Sequence, residues 1–159
     1  MSIWEKPGKS DDWFTPAYIF EALGCGFDMD VAAPLEGPRH VPCNVWIHQK
    51  SLSESWTGFV WMNPPFGGRN GIAPWLRKFI QHGNGIALTP DRTSAPWFTE
   101  AAPKMDAILF VSPKIKFERP DGSTGDSPGT GTALMAIGRK GAAALIRAES
   151  LGIAVRPFR

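Results

Sequence analysis

Between residues 58 and 112, strand-length apolar runs alternate with helix-length amphipathic ones, and this alternation restricts the fold more than any other feature. "GFVWMN" is β-branched and aromatic, and the two prolines after it cannot extend a ladder, so a strand should stop at Asn63. In "IAPWLRKFIQHG", Ile72, Trp75, Leu76 and Phe79 recur at helical spacing and Gly83 supplies a terminator. "GIALTP" reads as the next strand, "SAPWFTEAAP" as a short helix opened by Ser94, and "DAILFVS" as a further strand. The order strand, helix, strand, helix, strand predicts an α/β domain of three αβα layers, with a mostly parallel sheet covered on both faces.

The flanking segments extend this pattern. "TPAYIFEALG" predicts a first helix with Thr15 as N-cap, Pro16 at the first helical position and Gly24 just past the end. "FDMDVAA" alternates apolar and acidic residues and reads as a first strand, with Asp28 and Asp30 two residues apart on one side of it. Residues 34–42 are turn-rich, and "NVWIHQ" is a short β-like run. Further on, "KIKFERP" and "GTALMAIG" predict an antiparallel pair joined by the loop "DGSTGDSPGTG", whose composition argues for mobility. "RKGAAALIRAESLG" predicts a closing helix. A chain of 159 residues accommodates one core, so residues 1–159 are expected to form a single domain.

Composition excludes some classes of function. No apolar run approaches the roughly 18 residues of a membrane span, and the N-terminus lacks a secretory pattern, so a cytoplasmic location is expected. Cys25 and Cys43 are then expected to be reduced thiols. A net charge of +2 permits nucleic-acid binding without announcing it. His40, Cys43 and His48 are irregularly spaced and lack a fourth ligand, so no metal site is expected.

Chemistry concentrates at "NPPF", residues 63–66. Ligands of open α/β sheets gather at the carboxyl ends of strands, where this tetrapeptide should lie. The prolines stiffen the backbone, and Asn63 is pushed to an extended conformation because it precedes one. The Asn63 side-chain oxygen and the Pro64 carbonyl then offer two converging acceptors beside the Phe66 ring, with Pro65 holding the turn. Such a pair suits the exocyclic amine of a nucleobase: pulling on its two hydrogens favours a pyramidal nitrogen whose lone pair can attack, while the ring stacks on Phe66. The matching electrophile is a methyl group on a good leaving group, as in S-adenosylmethionine. A bare N-P-P-aromatic stretch is also what a rigid strand-to-loop turn looks like, so the tetrapeptide does not decide the matter alone.

Several segments, in order, resemble the phage-type DNA N-6-adenine methyltransferase family: "DDWFTPAYIFEALG", "FDMDVAAP", "WMNPPFG", "LTPDRTSAPWF" and "KIKFERP". The resemblance implies a Rossmann-like methyltransferase that uses S-adenosylmethionine to methylate N6 of adenine in DNA, with Asn63, Pro64, Pro65 and Phe66 as the catalytic loop. It places Thr15 and Pro16 beside the methionine end of the cofactor and Asp30 on its amino group, with Asp28 the second acidic candidate on the same strand. The sequence departs from the broader methyltransferase pattern in having "DVAAPLEG" in place of G-x-G after the first strand. Ala32 and Ala33 would there allow close backbone approach. Glu54 is a candidate for the ribose hydroxyls. Cytosine N4 methylation, protein glutamine N5 methylation and a catalytically inactive DNA-binding relic are the alternatives.

The DNA itself would meet cations. Arg92 could grip a phosphate or a flipped nucleotide, and Lys114, Lys116 and Arg119 could track the backbone, although a surface ion pair or a solvated strand face explains the same residues. An adenine must be flipped or single-stranded to present N6. With no room for a target-recognition domain, selectivity is expected to be weak, or to come from the loop at 119–131 or a second subunit of a homodimer. A phage-encoded enzyme would act in the cytoplasm of its host.

Overall fold

The computed structural model describes residues 13–65 and 71–158, and Phe66 lies outside them. Six strands form one sheet in the order β1-β2-β3-β5-β4-β6: β1 (Met29–Asp30), β2 (Val60–Met62), β3 (Gly85–Pro90), β4 (Ala107–Val111), β5 (Thr132–Ile137) and β6 (Gly152–Val155). Among the described residues four helices cover it: α1 (Ala17–Leu23), α2 (Ala73–His82), α3 (Pro96–Ala101) and α4 (Arg139–Arg147). Ile19, Phe20 and Leu23 of α1 and Leu145 of α4 join one apolar cluster with Trp61, Leu88 and Leu134. Leu76 and Phe79 of α2 and Phe98 of α3 join the other with Val60, Ala87 and Met135. Neighbouring residues of one strand thus serve opposite faces, the period of two that an extended chain imposes.

The sheet is mixed, which corrects the expectation of a mostly parallel one. β1 to β2 and β2 to β3 are parallel, whereas β3 to β5, β5 to β4 and β4 to β6 are antiparallel. β5 enters between β3 and β4 and is hydrogen-bonded on both edges. An antiparallel strand buried on both faces carries the same continuous apolar run as a parallel one, so "GTALMAI" does not reveal its direction. "KIKFERP" is not the partner of β5, a second correction. Within it only Glu118 forms bridges, to Phe14 and Thr124. Its alternation has another cause: Ile115 and Phe117 are buried in the core beneath an extended segment while Lys114 and Lys116 face solvent.

The glycine stops held, whereas the N-cap signals did not. Gly24 and Gly83 close α1 and α2 in the left-handed conformation, at φ 62° and 77°. Thr15, however, is not the N-cap of α1. Pro16 takes that place with extended backbone and no side-chain hydrogen bond, which leaves the Thr15 hydroxyl free for another partner. Ala95, not Ser94, precedes α3. The closing helix stops at Arg147, and a 3-10 turn (Glu149–Leu151) leads into β6, a strand of four residues too short to announce itself by pattern. The start of the "mobile" loop is a tied turn: Gly122 N–H donates to Arg119 O at 2.9 Å, Arg119 N–H to Ser123 O at 2.8 Å, and Gly125 N–H to Phe117 O at 2.8 Å.

Candidate active site

β1 and β2 end side by side, and a cavity of about 510 Å³ opens at their carboxyl ends. Asp30, Ala32 and Ala33 reach it from β1, Asn63, Pro64 and Pro65 from β2, and Thr15 from the chain entering α1. The structure therefore brings together most of the residues the sequence singled out for catalysis and cofactor binding. Pro16 is buried but does not line the cavity. Asp28 stands apart, exposed between buried Phe27 and Met29, and its Oδ2 accepts the Phe59 N–H at 2.7 Å. That carboxylate occupies the space a Cβ at Gly58 would need, and Gly58 has φ 72°, so Asp28 and Gly58 together make the turn into β2.

Asp30 is only 3% exposed. The edge of β1 is covered by residues 44–47: Asp30 N–H donates to Val45 O at 3.0 Å and Ile47 N–H to Asp30 O at 2.9 Å. The "NVWIHQ" run is thus an edge cover with a single bridge, Trp46 to Asp30. Oδ1 of Asp30 accepts the Ala32 N–H at 3.0 Å. Burial pushes its carboxyl pKa up to about 7, with the Ala32 N–H pulling weakly the other way. Among the described residues no cation forms an ion pair with it. A buried carboxylate in this state would be stabilised by a cationic ligand.

Asn63 is half-buried at the end of β2. Its Nδ2 donates to Thr15 Oγ1 at 3.4 Å, whereas Oδ1 is buried without a hydrogen-bond partner among the described residues. Buried acceptors are seldom left unpaired, so this oxygen marks where a donor belongs. The amide is thereby sorted: its donor end faces protein and its acceptor end is free.

Sequence reasoning missed the far wall of the cavity, formed by residues 34–51. His40, read there only as a failed metal ligand, lies 2.8 Å from Glu118 Oε2. Lys50 on the rim has φ 56°, the left-handed region a side chain rarely adopts. The turn after it is pinned: Lys78 Nζ of α2 donates to Ser51 O at 2.8 Å and Leu52 O at 3.1 Å, and Trp56 Nε1 donates to Ser51 Oγ at 2.9 Å. The one available signal was length, because a long irregular segment between strands usually carries function. Glu54 and Trp97 do not line the cavity, whereas Trp13 does. Arg92, Lys114 and Lys116 are exposed and also lie outside it. The Arg119 guanidinium donates to Thr124 O at 2.8 Å and stands over the Trp13 ring, 5.8 Å from its centroid.

β1 and β2 thus present an acidic residue and an asparagine-diproline turn at adjacent ends of a helix-covered sheet. The sequence model of the DNA N-6-adenine-methyltransferase (Dam) family matches residues 5–148, and the chain belongs to that family. Membership assigns it to the DNA adenine methyltransferases. Comparison with curated proteins and with solved structures finds no match.

Proposed function

We propose that the protein methylates N6 of a flipped or single-stranded adenine in DNA with S-adenosylmethionine as donor. The observation that carries this reading is the buried Oδ1 of Asn63, without a partner among the described residues, in a cavity that also holds a buried Asp30 with no ion pair to a described cation. When bound, the cofactor supplies a methyl group on a positively charged sulfur. Asp30 pairs with its ammonium group, Thr15 lies beside its methionine end, and Ala32 and Ala33 let the ligand approach the backbone. Asn63 accepts one amine hydrogen and the Pro64 carbonyl the other, Pro65 keeps the turn rigid, and Phe66 stacks on the base. Asparagine stays neutral in the ordinary pH range, so its contribution is orientation and charge stabilisation, not proton removal. The test is to incubate the protein with DNA and labelled cofactor, digest, and identify the nucleoside. N6-methyladenine is expected; N4-methylcytosine or no labelled nucleoside would refute the assignment.

Arg92, Lys114 and Lys116 would contact phosphates. The logarithm of DNA affinity should then fall linearly with log salt, and each lysine or arginine replaced by alanine should reduce the slope by about 0.7–0.9. Titrations by fluorescence anisotropy at several salt concentrations measure this, and a slope near zero for the unmodified protein would remove DNA as the partner.

A further inference from the structure

One arginine holds the wall that carries Thr15. Arg39 Nη1 donates to Arg119 O at 2.9 Å and Nη2 to Pro120 O at 2.7 Å, and its Cζ stands 3.7 Å from the centroid of the Phe14 ring. Next to it, His40 Nε2 and Glu118 Oε2 are at ion-pair distance, 2.8 Å, without the alignment of a hydrogen bond. Phe14 and Glu118 exchange both backbone hydrogen bonds at 2.9 Å. Phe14 is therefore tied to Glu118 through its backbone and to the same turn through the Arg39 guanidinium on its ring, and the residue after it is Thr15.

Thr15 Oγ1 is the partner of Asn63 Nδ2 among the described residues, at 3.4 Å. That length is beyond the usual 2.7–3.2 Å range, so a small displacement of Thr15 would break the contact. The Asn63 amide could then turn over about its last torsion and present nitrogen, a donor, where an acceptor is needed. We infer that Arg39 is a positioning residue: by clamping Phe14 to the 118–125 turn it fixes Thr15, and through Thr15 it sets which end of the Asn63 amide faces the cavity. The inference rests on the role proposed for Asn63. Lysine would be a poorer clamp than Arg39, because an ammonium lacks the planar fork that lies flat on a ring while two separate nitrogens each reach a carbonyl.

The test is a double-mutant cycle with a spectroscopic readout. Arg39→Ala should lower kcat by about 10- to 100-fold, the cost usual for removing a group that orients a reacting side chain, with a smaller change in S-adenosylmethionine affinity. In a Thr15→Val background, where Asn63 has already lost its partner, Arg39→Ala should add little. Additive losses, or a cofactor affinity that falls as far as kcat, would overturn the inference. Independently of turnover, the side-chain NH2 resonances of Asn63 in labelled protein should shift in Arg39→Ala toward their positions in Thr15→Val. Unchanged resonances would also overturn it. Should Arg39→Ala fail to fold, Arg39→Lys carries the same test, with the same shift in smaller measure. A wild-type protein that methylates no DNA while these resonances respond as expected would refute the proposed function and support the clamp.

Discussion

Replacing Asn63 with alanine should slow methyl transfer by about 100- to 1000-fold, the loss typical of removing one preorganised transition-state contact. Affinity for S-adenosylmethionine should stay near that of the unmodified protein, because Asp30 and Thr15 would hold the cofactor. The fold should survive as well: Asn63 is only half-buried, and its single described bond is the 3.4 Å contact with Thr15. Asn63→Asp should retain far more activity than Asn63→Ala, because a carboxylate keeps an acceptor in place and the Thr15 hydroxyl can donate to it. Single-turnover rates with saturating cofactor measure both variants. A folded Asn63→Ala protein working at the unmodified rate would show that the asparagine-diproline segment is a rigid turn and nothing else.

Asp30→Ala should weaken S-adenosylmethionine binding by at least about 100-fold, since breaking a buried charge pair typically costs 3–5 kcal/mol. The pH dependence is a sharper signature. Its carboxyl has an ordinary pKa of 3.8 and is raised by burial to about 7, so the folded protein holds a proton there that the unfolded chain releases. Stability from this group is complete below pH 3.8 and is lost as the pH rises through about 7. A cationic ligand reverses the preference by favouring the carboxylate. Affinity should therefore climb toward pH 7, by about tenfold per unit at the acid end of the range, with a proton released on binding. Calorimetry at pH 6 in buffers of different ionisation enthalpy would count that proton. Asp30→Asn should flatten the climb and make the ligand-free protein more stable above pH 7, and a variant with unchanged pH dependence would remove Asp30 from the site.

These two residues show how far the chain could be read in advance. Asn63 was legible because its setting is local: an aromatic strand stopped by two prolines puts the residue before them at a strand end in extended backbone. Asp30 was legible as an acidic residue on a strand, but its unusual state was not. That state depends on residues 44–47 closing the edge of β1, which no short-range pattern announces. Asp28 carries the same charge two positions earlier and is exposed, bonded to the Phe59 N–H. Alternation put both aspartates on one side, and only the path of the neighbouring chain separated them.

The local stereochemistry of the sequence by itself determined the core strands β2 to β4, the end of β2 just before Asn63, the glycine stops of α1 and α2, and the alternation that makes the protein α/β. Tertiary structure alone decided the direction of β5 and the addition of β6, because an apolar run buried on both faces looks the same whichever way its neighbours point. It also decided the clamp of Arg39 on Phe14, Arg119 and Pro120, which joins residues about eighty positions apart. The orphaned oxygen of Asn63 belongs to the same group. Whether an acceptor is left unpaired depends on every atom that could have reached it, and those atoms are brought near only by the folded chain.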